Sequence, residues 1–143
     1  MRPVFLLDTN VLSELRKARL GRADERVVAW VEAQAADEQF VSVVMLGELE
    51  RGVLLKERRD PRQGVVLRKW LDADVLPAFD GRTLSVDRAV ALRAAALHVP
   101  DPRPANDALI AATALVHGFT LVTRNTADFA PMGVRLLDPW VNG

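Results

Sequence analysis

Five oxygen-bearing residues carry the chemistry that this sequence can support. Asp8, Glu48, Asp107, Asn125 and Asp128 lie far apart in the chain, each just after an apolar run or at the start of a helical one. With no Cys and only two His in the chain, a site built from them consists of hard oxygen ligands. That donor set suits Mg2+ or Mn2+ rather than Zn2+. Three carboxylates in one place repel unless a cation or a proton neutralises them. A divalent ion held there activates water and clamps the oxygens of an in-line phosphodiester displacement. Each residue also has a plainer reading. Asp8 and Asp107 serve equally as helix caps. Glu48, flanked by Leu46 and Leu49, serves equally as a solvated helix residue. Only the joint pattern discriminates.

The elements that position these residues follow from the apolar pattern. Val4-Phe5-Leu6-Leu7 is a short continuous apolar run, as in a buried parallel strand, and Asp8-Thr9-Asn10 is cap chemistry directly after it. A helix begins at Val11-Leu12-Ser13-Glu14-Leu15, and another spans Asp24 to Ala36. Gln39 to Val44 predicts a second strand. Val44 to Arg59 reads as a helix through Met45, Leu46, Leu49, Val53 and Leu54, weakened by Gly47 and Gly52. Asp60-Pro61 breaks it, and a further helix covers Val65 to about Asp74. Val75-Leu76-Pro77-Ala78-Phe79 predicts a short edge strand, and Leu84 to His98 an Ala-rich helix. Three prolines make Val99 to Pro104 a loop. Asn106-Asp107 opens the apolar helix Ala108 to His117, closed by Gly118. Phe119 to Thr123 and Val134 to Leu137 predict the last strands. This alternation predicts an α/β fold with a mostly parallel sheet. In such folds ligands bind outside the carboxyl ends of the strands, the edge to which Asp8, Glu48, Asp107, Asn125 and Asp128 are all sent.

Composition narrows the class. A chain of 143 residues with 50% hydrophobic content predicts one domain, residues 1–143, with a full core and not a disordered chain. The lack of Cys fits the reducing cytoplasm. No apolar run approaches a membrane span, and Val4–Leu7 is too short for a signal-peptide core. Lys plus Arg equals Asp plus Glu at 19 each. A zero sum argues at first against nucleic acid, but it says nothing of where the charges sit.

Four segments, in order, resemble the motifs of one family. Leu6-Leu7-Asp8-Thr9-Asn10-Val11-Leu12 is similar to the opening of a PIN domain, and Ser42-Val43-Val44-Met45-Leu46-Gly47-Glu48-Leu49 to its second motif. Asn106-Asp107-Ala108-Leu109-Ile110-Ala111-Ala112-Thr113-Ala114 resembles the third. Thr123-Arg124-Asn125-Thr126-Ala127-Asp128-Phe129 resembles the fourth. Order, spacing and length together resemble the VapC-type toxins of bacterial toxin–antitoxin pairs, including the FitB-like branch. The resemblance implies a PIN-like three-layer α/β/α sandwich and a Mg2+-dependent (or Mn2+-dependent) endoribonuclease of the cytoplasm. It implies Asp8, Glu48 and Asp107 as catalytic residues and metal ligands. The fourth acidic position falls on Asn125, with Asp128 as the second candidate. Thr9 and Thr123 are implied to orient carboxylates or waters. The implied partners are RNA, a VapB-type antitoxin and a second copy of the chain, with no membrane. The apolar helices near Val44–Leu55 and Val65–Leu71 could supply the surface that such an antitoxin covers.

Outside those motifs the residues leave two readings each. Arg51, Lys56, Arg58, Arg59, Arg62, Arg68 and Lys69 meet only Glu57 and Asp60 in their stretch, an excess of 7 − 2 = +5. It reads either as phosphate contacts or as a solvated helix face. Arg124 either binds substrate phosphate or pairs with an acid. Trp30 and Trp70 sit at core-like helical positions, whereas Trp140 is open to base stacking. His98 and His117 read as bystanders. A phosphoacceptor receiver domain would want paired acids after the first strand and a late Lys, yet Asp8 stands alone and no Lys follows residue 69. A PIN-like module that binds RNA or protein without catalysis is the other alternative.

Overall fold

Phe5, Leu6 and Leu7 form strand β1 (Phe5–Leu7), and all three are buried. The continuous run has no polar face because helices cover both sides of a parallel strand. The computed structural model describes residues 2–142. Asp8 ends β1 and caps α1 (Thr9–Arg16), which is followed by α2 (Glu25–Ala33) and β2 (Gln39–Ser42). Ser42 then caps α3 (Val43–Arg59) by accepting from the Met45 N–H at 3.3 Å.

Asp60 caps α4 (Pro61–Lys69), with Pro61 at the helix start, where its missing N–H is harmless. The α3–α4 hairpin is close: a Cβ on Gly64 would stand 2.5 Å from Glu57 Cα. Arg68 crosses this hairpin and donates to both Glu50 oxygens at 2.7 Å, and also to Glu57 and Asp72. It therefore holds two helices together and leaves the basic stretch one cation poorer for phosphate.

After α4 the chain departs from the sequence expectation. Val75–Phe79 is not a strand. A π-helical segment, Trp70–Val75, continues into the helical turn α5 (Leu76–Ala78). Leu71, Val75 and Phe79 are all buried and lie four residues apart, a helical spacing that a short apolar run conceals. Pro77 sits in the first turn of α5, where a helix tolerates it. The third strand is instead β3 (Thr83–Leu84), placed by sequence at the start of the next helix. Arg82 fixes it by donating to the carbonyls of Ala36, Gln39 and Ala78. Helix α6 (Arg88–Leu97) starts later than expected because Asp87 caps it through the Val90 N–H at 2.9 Å.

Helix α7 (Ala105–His117) ends at Gly118 in the left-handed region, with φ 71°. Strand β4 (Thr120–Val122), α8 (Thr126–Phe129), β5 (Leu136–Leu137) and α9 (Pro139–Asn142) complete the order. The sheet runs β3-β2-β1-β4-β5 with every pairing parallel, as the α/β reading requires. Chain order reverses between β1 and its two neighbours, which opens a crevice at the carboxyl ends of β1 and β4. Register there is fixed: Phe5 faces Thr120, Leu6 faces Leu121 and Leu7 faces Val122. No helix among the described residues is long and apolar enough to cross a membrane.

Candidate active site

The crevice beside β1 and β4 is an open pocket of about 480 Å3 lined by Asp8, Thr9, Glu48, Asp107, Arg124 and Asn125, among others. Asp8 lies at its floor and is 6% exposed. Its Oδ1 accepts from the Thr9 N–H at 2.8 Å, so Asp8 caps α1 while also lining the pocket. Its Oδ2 accepts from the Thr123 hydroxyl at 2.8 Å. Asn10 Nδ2 donates to that same hydroxyl oxygen at 3.2 Å, and the Asn125 N–H donates to it at 3.0 Å.

Glu48 reaches the pocket from α3. It lies three residues after buried Met45, at the margin of the helix's core face. Both its oxygens are held: Oε1 by the Thr9 hydroxyl at 2.7 Å and Oε2 by Asn106 Nδ2 at 3.3 Å. Asp107 comes from the first turn of α7 and is not its cap; Pro104 occupies the cap position with no side-chain bond. The positive end of the helix dipole favours a carboxylate there.

Burial and neighbouring acids disfavour the charged forms of Asp8 and Asp107. Burial pushes the Asp8 carboxyl above its ordinary range; the bonds from Thr123 and Thr9 oppose this, and the charges of Glu48 and Asp107 add to it. Asp107 is raised by burial, then by Asp128 and Glu48. Among the described residues none of the three pairs with a Lys, Arg or His. Uncompensated carboxylates of this kind fit a hard divalent cation. Among the described residues no three His, Asp or Glu side chains are grouped tightly enough to hold an ion between them, so the carboxylates share a pocket without forming a closed cage.

The two candidates for the fourth position separate. Asn125 lines the pocket, whereas Asp128 is exposed on α8 and acts on Asp107 through its charge. Arg124 makes no ion pair among the described residues; its guanidinium lies 5.3 Å over the Trp140 ring. Trp140 is 5% exposed and so is not free to stack on a base. Trp30 is core, edge-on to Phe5 at 4.8 Å. His98 is more than a bystander: its Nδ1 accepts from the Arg103 N–H at 3.0 Å and braces the loop before α7.

Sequence reasoning passed over Asn10, Glu14, Lys17 and Asn106. Glu14 is buried and lines the pocket. The available signal was its place three residues after Val11, on the inward face of α1.

The profile of the PIN domain family matches residues 5–133. The chain belongs to the PIN domain family. Within it the chain falls with the VapC and FitB-like toxins. The VapC ribonuclease Y4jK of Sinorhizobium fredii is 34% identical over 142 residues, covering 96% of this chain and 98% of that protein. Toxin FitB of Neisseria gonorrhoeae is 35% identical over 142 residues, covering 96% and 99%. The crystal structure of FitAcB from the same organism superposes with a TM-score of 0.85 at 34% identity, over 96% of this chain and 99% of that one. A toxin–antitoxin complex from Klebsiella pneumoniae superposes with a TM-score of 0.63 at 27% identity, over 94% and 96%. This PIN domain thus carries the fold of those proteins from end to end, with its acidic pocket at the sheet's switch point.

Proposed function

We propose that this VapC-type toxin is a metal-dependent endoribonuclease of a type II toxin–antitoxin pair, with Asp8, Glu48 and Asp107 as its catalytic carboxylates. The observation that carries the reading is their convergence. Three acids from three separate segments line one pocket, and among the described residues no cationic side chain is bonded to them.

Mg2+, or Mn2+ in its place, would be held by Asp8 and Asp107 with Glu48 beside them, and Asn125 offers a neutral carbonyl oxygen. Such an ion supplies charge neutralisation at the phosphodiester and a bound water of lowered pKa. The chain's own residues do the rest. Thr123 and the Thr9 N–H fix both Asp8 oxygens, so this carboxylate cannot swing away. Thr9 and Asn106 fix the Glu48 carboxylate from two different helices, which leaves it set to orient or deprotonate the attacking water. Arg124, with its guanidinium 5.3 Å over the Trp140 ring, is placed to meet phosphate at the rim.

The partner proposals rest on exposed apolar surface. Leu54 and Leu55 on α3, and Val65 and Val66 on α4, are exposed. A cognate antitoxin would cover such a surface, and the toxin would act in the cytoplasm as a homodimer. The deciding experiment is a Mg2+ titration of antitoxin-free protein on single-stranded and structured RNA, with and without EDTA. Cleavage that needs Mg2+ and vanishes in Asp8→Asn supports the proposal. No cleavage of any RNA would leave a PIN-like binding module.

A further inference from the structure

Lys17 stands at the C-terminal end of α1, on the same helical face as Thr9 and Ser13, and lines the acidic pocket with them. It also lines the adjoining groove beside Glu48. Its ammonium lies 3.3 Å from Glu14 Oε1, and the other Glu14 oxygen is anchored by the Asp24 N–H at 2.8 Å. Glu14 is 9% and Lys17 45% exposed at the side chain. The acid is therefore fixed while the cation remains open to solvent, with further N–H donors free. Counting side chains on the pocket wall, Asp8, Glu14, Glu48 and Asp107 give −4 against Lys17 and Arg124. A polyanion entering this wall has few cations to meet, which makes each of them count.

We infer that Lys17 contacts a backbone phosphate of the RNA next to the scissile one. Position sets the distinction: eight residues of helix separate Thr9 from Lys17, about 12 Å along the axis. With its ammonium held beside Glu14 rather than among the three acids, Lys17 meets the strand to one side of the scissile position. Pinning by Glu14 lowers the ordering cost of the long side chain on binding. The inference rests on the ribonuclease reading.

The test measures anisotropy of a fluorescein-labelled single-stranded RNA oligonucleotide in EDTA, from about 50 to about 200 mM KCl. Wild type, Lys17→Met and Lys17→Arg are compared. The expected result is severalfold weaker binding by Lys17→Met at the lowest salt and a log–log salt slope shallower by about 0.7. Lys17→Arg restores the slope. Wild type that binds with the same slope as Lys17→Met overturns this inference alone. Wild type that binds no RNA at any salt overturns this inference, and if it also cleaves no RNA once Mg2+ is added, the ribonuclease reading falls with it.

Discussion

The Thr123 hydroxyl donates to Asp8 Oδ2 at 2.8 Å across 115 residues of sequence. Each residue directly follows a strand, Asp8 after β1 and Thr123 after β4, and those strands are neighbours. One hydroxyl thereby serves three groups. It donates to the buried carboxylate and accepts from Asn10 and from the Asn125 N–H. The bond is also one of the two interactions that keep the Asp8 carboxyl from rising further.

Thr123→Val removes that donor at nearly constant volume. Cleavage is expected to fall about 10- to 100-fold, the usual effect of losing a group that orients a ligand. Because the lost bond lowers the Asp8 pKa, its removal raises that pKa. The acidic limb of the pH–rate profile should then move to higher pH. An unmoved limb would show that Asp8 is not the group titrating there.

Asp8→Asn separates activity from stability. The folded state holds the Asp8 proton more tightly than the unfolded chain, whose carboxyl has the ordinary value of 3.8. Stability from this group is thus fully present below 3.8 and is lost as pH rises through the raised folded value. Without metal, Asp8→Asn should melt above wild type at neutral pH, with the gap closing below 3.8, while cleavage is lost. Mg2+ should raise the wild-type melting temperature and leave that of Asp8→Asn unchanged. Scanning calorimetry with and without EDTA reads both.

Much of this arrangement is legible in the sequence where burial leaves a pattern. Phe5–Leu7 and Leu121–Val122 are apolar without interruption, and the polar residues after them fall where a parallel sheet must place its site. The two-residue strand β3 leaves no periodicity to read, whereas β5 lies inside the mostly apolar stretch from Val134 to Leu137 that marks it. Val75 and Phe79 imitate a strand because a short apolar run fits either period. Glu14 escapes because a buried acid breaks the helical pattern that locates it. Arg68 escapes because counting charges does not show which acids a cation faces across a hairpin.

Glycines divide on the same ground. Gly47 and Gly64 both sit inside helices, but a Cβ on Gly47 meets nothing within 4 Å and one on Gly64 meets the Glu57 backbone. Gly47→Ala is expected to stabilise by up to about 1 kcal/mol through helix propensity. Gly64→Ala should destabilise by about 1–3 kcal/mol, because the hairpin must part to admit the methyl group. Denaturant midpoints of the two variants check this, and equal shifts would refute it.

The pairing of Leu7 with Val122 has a consequence for how this chain can vary in length. It sets Asp8 and Thr123 level with each other, one residue beyond the last matched pair. Inserting or deleting a single residue within Phe5–Leu7 or Thr120–Val122 would turn one of the two side chains to the opposite side of the sheet. Loops such as 99–104 can lengthen between helices without touching that alignment. A length change in such a loop is therefore absorbed, whereas one residue added to either of these stretches of three would disarm the pocket without altering any residue in it.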